Sequence, residues 1–402
     1  MENIVADLFA SKEHNSGEMM QKANINPTKI KVIGVGGGGG NAVNRMIRAG
    51  LSGVEFWLMN TDLQVLLQGQ TKNRIQLGAV STQGLGAGND PSVGEKAAEE
   101  AQQEITQALD GADMVFITAG MGGCTGTGAA PVVAKIAKEL GILTIAVVTK
   151  PFTWEGRKRQ NQANLGLDKL KEYVDAVIVV PNDKLLQVVG RDVSLPDSFS
   201  IVDDVLLRGV QGISDIITVP GIINVDFADV KSVMLASGSA LMGIGKAQGE
   251  GRAVKAAQQA INSQLLESSI NGASGVIVNI TGGADMGIHE ISDAASIIHD
   301  AVLDDATVII GTAVDERIQN DIQITVIATG FELKNNSAIS QFGAFNSTSS
   351  SSSTMSSEPS KLNAADFFSG AFNNTNKSIL DTPPSSVNKG FTNIEIPDFL
   401  KR

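Results

Sequence analysis

Across 402 residues, 43 acidic side chains outnumber 31 basic ones, a formal net charge of −12. That balance excludes a nucleic-acid partner, because displacing counterions from phosphates requires a basic surplus. A single cysteine, Cys124, excludes an intrachain disulfide and fits a reducing compartment, and three histidines are too few for a histidine-built zinc site.

The apolar set makes up 42% of the chain. At ~100–200 residues per domain, two globular domains plus tails are expected. No apolar run approaches the ~20 residues of a membrane-spanning helix. The first seven residues carry acids where a signal peptide carries cations. The expectation is a cytoplasmic chain without direct membrane insertion.

In chain order, residues 1–28 are polar and aperiodic and read as a flexible extension. Short apolar, β-branched runs follow at Ile30–Val35, Val54–Met59, Met114–Thr118, Ile142–Thr149 and Ala176–Val180. Helical stretches lie between them at Val93–Leu109, Gly128–Leu140 and Gly156–Glu172. Strands buried on both faces and alternating with helices predict a parallel sheet of the doubly wound α/β class, a Rossmann-like domain over 29–195. Pro196 to about Thr218 reads as one long helix with proline near its start and Pro220-Gly221 as its stop, within a connecting segment 196–221. A smaller α/β domain is expected over 222–333. Its strands are Gly275–Thr281, Thr307–Thr312 and Ile322–Thr329, and its helices Gly251–Leu265 and Ile288–Val302. Residues 334–392 are rich in Ser, Thr and Asn and cannot bury enough apolar surface to offset ordering, so a disordered linker is expected. Apolar character returns in 393–402.

Three glycine-rich loops stand out, two of them directly after strands. Gly34-Val-Gly36-Gly37-Gly38-Gly39-Gly40-Asn41 joins the first strand to a helix. Glycines let the backbone approach a ligand, and a helix N-terminus offers free N–H groups and a positive dipole end, a combination that suits phosphate. It is not a Walker A loop, since no GK[ST] follows. Gly120-Met-Gly-Gly-Cys124-Thr125-Gly126-Thr127-Gly128 repeats the arrangement and adds the hydroxyls of Thr125 and Thr127. A third loop, Gly84-Leu-Gly-Ala87-Gly88-Asn-Asp90, is placed to close over a terminal phosphate.

GGxTGTG in this setting resembles the signature of the tubulin and FtsZ superfamily of GTPases. Four segments, Gly34–Asn44, Gly120–Pro131, Lys150–Arg159 and Asn224–Val230, press the resemblance toward the FtsZ family of bacterial cell-division tubulin homologues. Resembling residues run from Lys29 to about Phe331 and reappear at the C-terminal tip.

The resemblance implies binding of GTP or GDP with Mg²⁺, and K⁺ as a further candidate ion. Gly37, Gly38, Gly39, Gly40 and Asn41 would cradle the α- and β-phosphates, and Cys124, Thr125 and Gly126 would donate to them. Ala87 and Gly88 are carried over with the third loop. Glu155 and Arg159 match ribose-side and phosphate-side contacts, though alone they read as a solvated charged helix start. Asn182 matches the base-contacting amide. Phe199 and Asp203, four apart on one helix face, would stack on the base and accept its N–H groups. On spacing alone Phe199 is a core residue.

Asn224, Asp226 and Asp229 match a loop that in the family enters the pocket of the neighbouring subunit and polarises water for attack on the γ-phosphate. Read by itself, Asp226 is a helix cap. The implied partners are further copies of the chain, joined head to tail as a heterologous and therefore open filament. The tip, with Ile396, Pro397, Phe399 and Leu400, resembles the family's terminal peptide. It is expected to dock to membrane-tethering and regulatory division proteins, placing filaments at mid-cell.

Departures from the family are Cys124, where most relatives have glycine, and Asn89-Asp90 for Ala-Asn, which sets a negative charge near the expected terminal phosphate. The residues leave two other classes open. One is a Rossmann NAD(P)-dependent oxidoreductase, with Gly34–Gly39 as fingerprint and Asp62 as ribose-binding acid. The other is a nucleotide-binding scaffold that never hydrolyses.

Overall fold

A computed structural model describes residues 28–188, 194–219, 221, 223, 225–266, 268–315, 318 and 320–331. The expected extension at 1–27, Asn224, the linker and the terminal peptide with Ile396, Pro397, Phe399 and Leu400 lie outside the described residues.

The apolar runs become strands where their burial demands it. Strands β1 (Ile30–Val35), β2 (Val54–Asn60), β3 (Arg74–Gln76), β4 (Met114–Gly120), β5 (Leu143–Lys150) and β6 (Ala176–Pro181) are parallel, in the order β3-β2-β1-β4-β5-β6. Between them come helices α1 (Gly36–Arg48), α2 (Leu63–Leu67), α3 (Pro91–Glu100), α4 (Gln102–Leu109), α5 (Cys124–Glu139) and α6 (Arg157–Lys171). The single helix expected over Val93–Leu109 is two. Ala101 leaves helical geometry at φ −92°, ψ 15°, with neither glycine nor proline to announce the break.

After β6 come α7 (Asn182–Val188), the 24-residue α8 (Leu195–Thr218) and α9 (Phe227–Met234). Strands β7 (Gly238–Gln248), β8 (Gly275–Gly282), β9 (Thr307–Val314) and β10 (Asp321–Thr329) then extend the same sheet in the order β7-β10-β8-β9, with α10 (Arg252–Ile261) and α11 (Ile288–His299) between them. β10 is antiparallel to both β7 and β8. The seam between the two parts of the sheet is narrow: β6 and β7 pair at three positions, Ala176 with Gly238 through Ile178 with Ala240.

Successive strand residues face opposite sides, and two clusters result. Val32, Phe116, Ile145 and Ile178 pack with Met46 of α1 and with Leu206, Val210 and Ile213 of α8. Ile33, Val115, Ile117 and Val148 face α3 to α6 on the other side. A third cluster lies among β7, β8, β10, α10 and α11. Within it Arg252, its side chain 6% exposed, donates to Asp285 and Glu290. Those bonds hold the Glu290 carboxyl below its ordinary range.

Helix α8 is the spine. Gly212 lies where a Cβ would come 2.8 Å from Thr325 Cγ2, so glycine lets the helix backbone rest on β10. At the other side Arg45 of α1 makes a two-bond ion pair with Asp204, at 2.7 and 3.1 Å. Both side chains are 39% exposed, so the pair contributes at most about 1 kcal/mol. It orients α8 more than it stabilises it.

Candidate functional site

A cavity of about 520 Å³ opens at the carboxyl ends of the parallel strands, where an open α/β sheet offers its ligand crevice. Two helix N-termini point into it. α1 begins at Gly36 (φ +71°) directly after β1, and α5 begins at Cys124 after Gly123. Neither start carries a side-chain cap, so their first N–H groups are available to a ligand. By contrast α2 and α3 are capped by Asp62 and Asp90. The two open loops touch: a Cβ on Gly36 would sit 2.8 Å from Gly126 N. Thr61 and Thr125 hydroxyls, 2.6 Å apart, tie the end of β2 to α5.

Of the residues expected from sequence, the cavity brings together Gly37, Gly38, Asn41, Ala87, Cys124, Thr125, Gly126, Glu155, Arg159, Asn182, Phe199 and Asp203. Four others, Gly39, Gly40, Gly88 and Thr127, do not line it. Gly39 sits where a Cβ would fall 2.1 Å from Thr118 O, so it lets α1 lie on β4. Gly40 lines a smaller neighbouring cavity of about 230 Å³. Gly88 holds the turn before α3 at φ +60°. Thr127 is buried, and its hydroxyl accepts from Gly122 N–H at 2.8 Å within the loop.

Asp90 has a structural task in the third loop. Its carboxylate accepts from Ser92 N–H at 2.9 Å, and that bond first of all holds its pKa low. The carboxylate caps α3 and stays ionised. Asp62 likewise accepts from Gln64 and Val65 N–H at 2.9 and 3.1 Å, a helix cap where the oxidoreductase reading wanted a ribose acid.

At the far end of the cavity the polar groups are unequally satisfied. Asn182 is 5% exposed, and its Oδ1 has no hydrogen-bond partner among the described residues. A buried amide oxygen without a donor costs roughly 1–3 kcal/mol until something supplies one. Phe199 is 41% exposed, so it is not a core residue, and its ring meets Phe152 edge-on at 5.8 Å. Asp203 is pushed up to about 6, chiefly by burial, against the opposing pull of Arg45 and Arg48. Glu155 accepts from Phe152 N–H at 2.9 Å and pairs with Arg159. The reading from sequence passed over Asn60, Thr61, Met121, Thr149 and Pro151, which also line the cavity. Asn60 and Thr149 end strands β2 and β5, and strand ends are where the crevice rule would have placed a site.

Asp226 and Asp229 are elsewhere. They follow the C-terminal end of α8, whose N-terminal half carries Phe199 and Asp203. The 24 residues of α8 span about 36 Å at 1.5 Å per residue. Asp226 caps α9, accepting from Asp229 N–H at 2.8 Å. Both residues are exposed, and the Asp229 carboxylate has no partner among the described residues. Among those residues, no group of three or more His, Cys, Asp or Glu is placed to hold a metal ion.

Two family models match the chain: the Tubulin/FtsZ family GTPase domain over residues 29–190 and the FtsZ family C-terminal domain over 238–332. An FtsZ dimer from M. jannaschii is 41% identical, with a TM-score of 0.76 over 79% of this chain and 92% of that one. Two Haloferax volcanii proteins share the fold at lower identity. CetZ2, in a GTPγS-bound protofilament, is 23% identical, with TM-score 0.66 over 78% of this chain and 96% of that one. CetZ1, a GDP-bound monomer, is 20% identical, with TM-score 0.66 over 78% and 97%. The cavity with its two uncapped helix starts therefore lies in a guanine-nucleotide-binding GTPase domain of the tubulin/FtsZ class. Within that class the chain belongs to the FtsZ family.

Proposed function

We propose that the chain binds GTP in the 520 Å³ cavity and hydrolyses it at a site completed by a second copy, so that head-to-tail polymerisation and turnover are one process. The observation that carries this reading is the distance set by α8. Asp226 and Asp229 follow the end of α8, and about 28 Å of that helix separates its end from Phe199 and about 22 Å from Asp203 at 1.5 Å per residue, so the exposed carboxylates serve a neighbour's cavity or none. The protofilament and dimer forms of the similar proteins support self-association of this chain.

In this reading the N–H groups of the α1 and α5 starts hold the phosphates, and Cys124, Thr125 and Gly126 line their path. Asn182 Oδ1 takes a donor from guanine, Phe199 covers the base face, and Asp203 accepts the base N–H groups. Arg159 offsets phosphate charge. A magnesium ion carried by the triphosphate would neutralise charge on its oxygens, since no group of three or more His, Cys, Asp or Glu among the described residues is placed to hold one. Asp229, with Asp226 and Asn224, orients and deprotonates the attacking water across the junction. Filaments of this kind would build the division ring at mid-cell, with residues 393–402 joining them to membrane-tethered partners.

Phosphate release from GTP, followed with light scattering across protein concentration, tests the shared site. Release per chain is expected to rise above a threshold concentration together with scattering. A constant rate per chain without scattering would mean a self-contained enzyme.

Base recognition by Asp203 predicts a pH dependence. Nucleotide needs the ionised carboxylate, and burial holds its pKa at about 6. Affinity for GDP should therefore fall as pH drops through 6, by up to about tenfold per unit. The sign separates binding from stability. A carboxyl raised above its ordinary value makes protonation favour the folded chain, so this group does not drive unfolding over the same window. Titrations at pH 7.5, 6.5 and 5.5 should show the slope, and Asp203→Asn should flatten it.

A further inference from the structure

We propose that Cys124 is a modification site for low-molecular-weight disulfides, and that a group attached to its Sγ and a bound nucleotide exclude one another. The inference rests on the nucleotide reading of the cavity and adds a covalent control to it.

Cys124 is the chain's only cysteine. It opens α5 at an uncapped start and is partly exposed, whereas Gly126 to Pro131 of the same helix are buried. It lines the cavity beside Gly123, Thr125 and Gly126. On the other glycine loop lining the cavity, Gly37 carries no side chain and has nothing within 4 Å of where a Cβ would stand. Among the described residues the thiol joins no metal-binding group that would occupy it. That the cavity is built for a ligand follows independently from Asn182, which is buried in its wall with Oδ1 lacking a partner among the described residues. A group on Sγ would take up the volume next to the two helix starts, where phosphates are to be held.

The chemistry is thiol–disulfide exchange. The Cys124 thiolate attacks one sulfur of the small disulfide, a new S–S bond forms and the old one breaks. The other half leaves as a thiol carrying the proton released from Cys124. Cys124 is oxidised as the disulfide is reduced, and an added thiol reverses the exchange.

The test uses the full chain, reduced, freed of reductant and stripped of nucleotide. Glutathione disulfide and, as an irreversible probe, N-ethylmaleimide are followed by intact mass, with binding of fluorescent GDP read on the same samples. One adduct per chain is expected, and GDP at ten times its Kd should slow adduct formation about tenfold, since only the empty fraction reacts. The modified chain should bind GDP at least about tenfold more weakly, and dithiothreitol should restore binding after glutathione disulfide but not after maleimide. Cys124→Ser should take no adduct, and its own GDP affinity should be the same before and after exposure to either reagent.

Equal modification rates with and without GDP, in a sample shown to bind it, would overturn the proposal. Undiminished GDP binding by the modified chain would do the same. Failure of the untreated chain to bind GDP would instead bring down the nucleotide reading itself, and this inference with it.

Discussion

Asp229→Ala should bind GDP as the parent chain does and release phosphate from GTP about 10²–10⁴-fold more slowly, the usual contribution of a positioned general base. The residue suits the test because its carboxylate is exposed and has no partner among the described residues, so removing it breaks no internal bond. Asp226 is less clean. Its side chain caps α9 through Asp229 N–H, and alanine there would also cost about 1 kcal/mol of helix stability. A mixing experiment sharpens the result. Asp229→Ala combined with a chain defective in its cavity should regain activity, since about one junction in four of a random equimolar row joins an intact cavity to an intact loop. Inactive mixtures of two chains that still co-assemble would argue for a site within one chain, and undiminished turnover by Asp229→Ala would remove the residue from the mechanism.

The second large effect separates two neighbouring glycines. Gly39→Ala puts a Cβ 2.1 Å from Thr118 O, with backbone on both sides, so either helix α1 or strand β4 must move. The expected loss is about 3 kcal/mol of stability, the upper range for overpacking, seen as a lower urea midpoint. Gly37→Ala meets nothing within 4 Å and gains up to about 1 kcal/mol of helix preference over glycine. Its methyl instead enters the cavity, where nucleotide affinity should drop about tenfold or more. Should Gly37→Ala bind GDP normally, the phosphates do not rest on the α1 start.

Those two glycines also show how far the residues could be read in advance. A run of five glycines announces close approach of backbone to something, and the something is an open cavity at Gly37 and a strand at Gly39. Only the register between α1 and β4 decides which, and no local pattern encodes it. Strands β1, β4, β5 and β6 were legible because burial on both faces demands unbroken apolar runs. β7, Gly-Ser-Ala-Leu-Met-Gly-Ile-Gly-Lys-Ala-Gln, carries no such run. Cβ atoms at Gly243 and Gly245 would fall 2.0 and 1.9 Å from Ala260 O and Ala256 O, so the close backbone of α10 forbids the bulky residues that mark a strand. The three-residue seam joining β7 to β6 was equally invisible, being set by tertiary packing. In the site, Phe199 and Asp203 were legible through family resemblance alone. Four-residue spacing places them on one face of α8 but does not say that the face is wet.

The length of α8 has a consequence for counting. If each chain carries a cavity at one end of a 36 Å rod and its carboxylates at the other, an open row of n chains contains n − 1 finished junctions. A pair works at half the rate per chain of a long row, and growth raises the yield of every member by diminishing amounts. The two tips of the row are chemically unlike. One exposes a cavity that no neighbour covers and so trades its nucleotide freely with solution, and the other presents carboxylates with nothing to act on. Direction along such a row is thus written into the chain itself, without any second protein to mark which end is which.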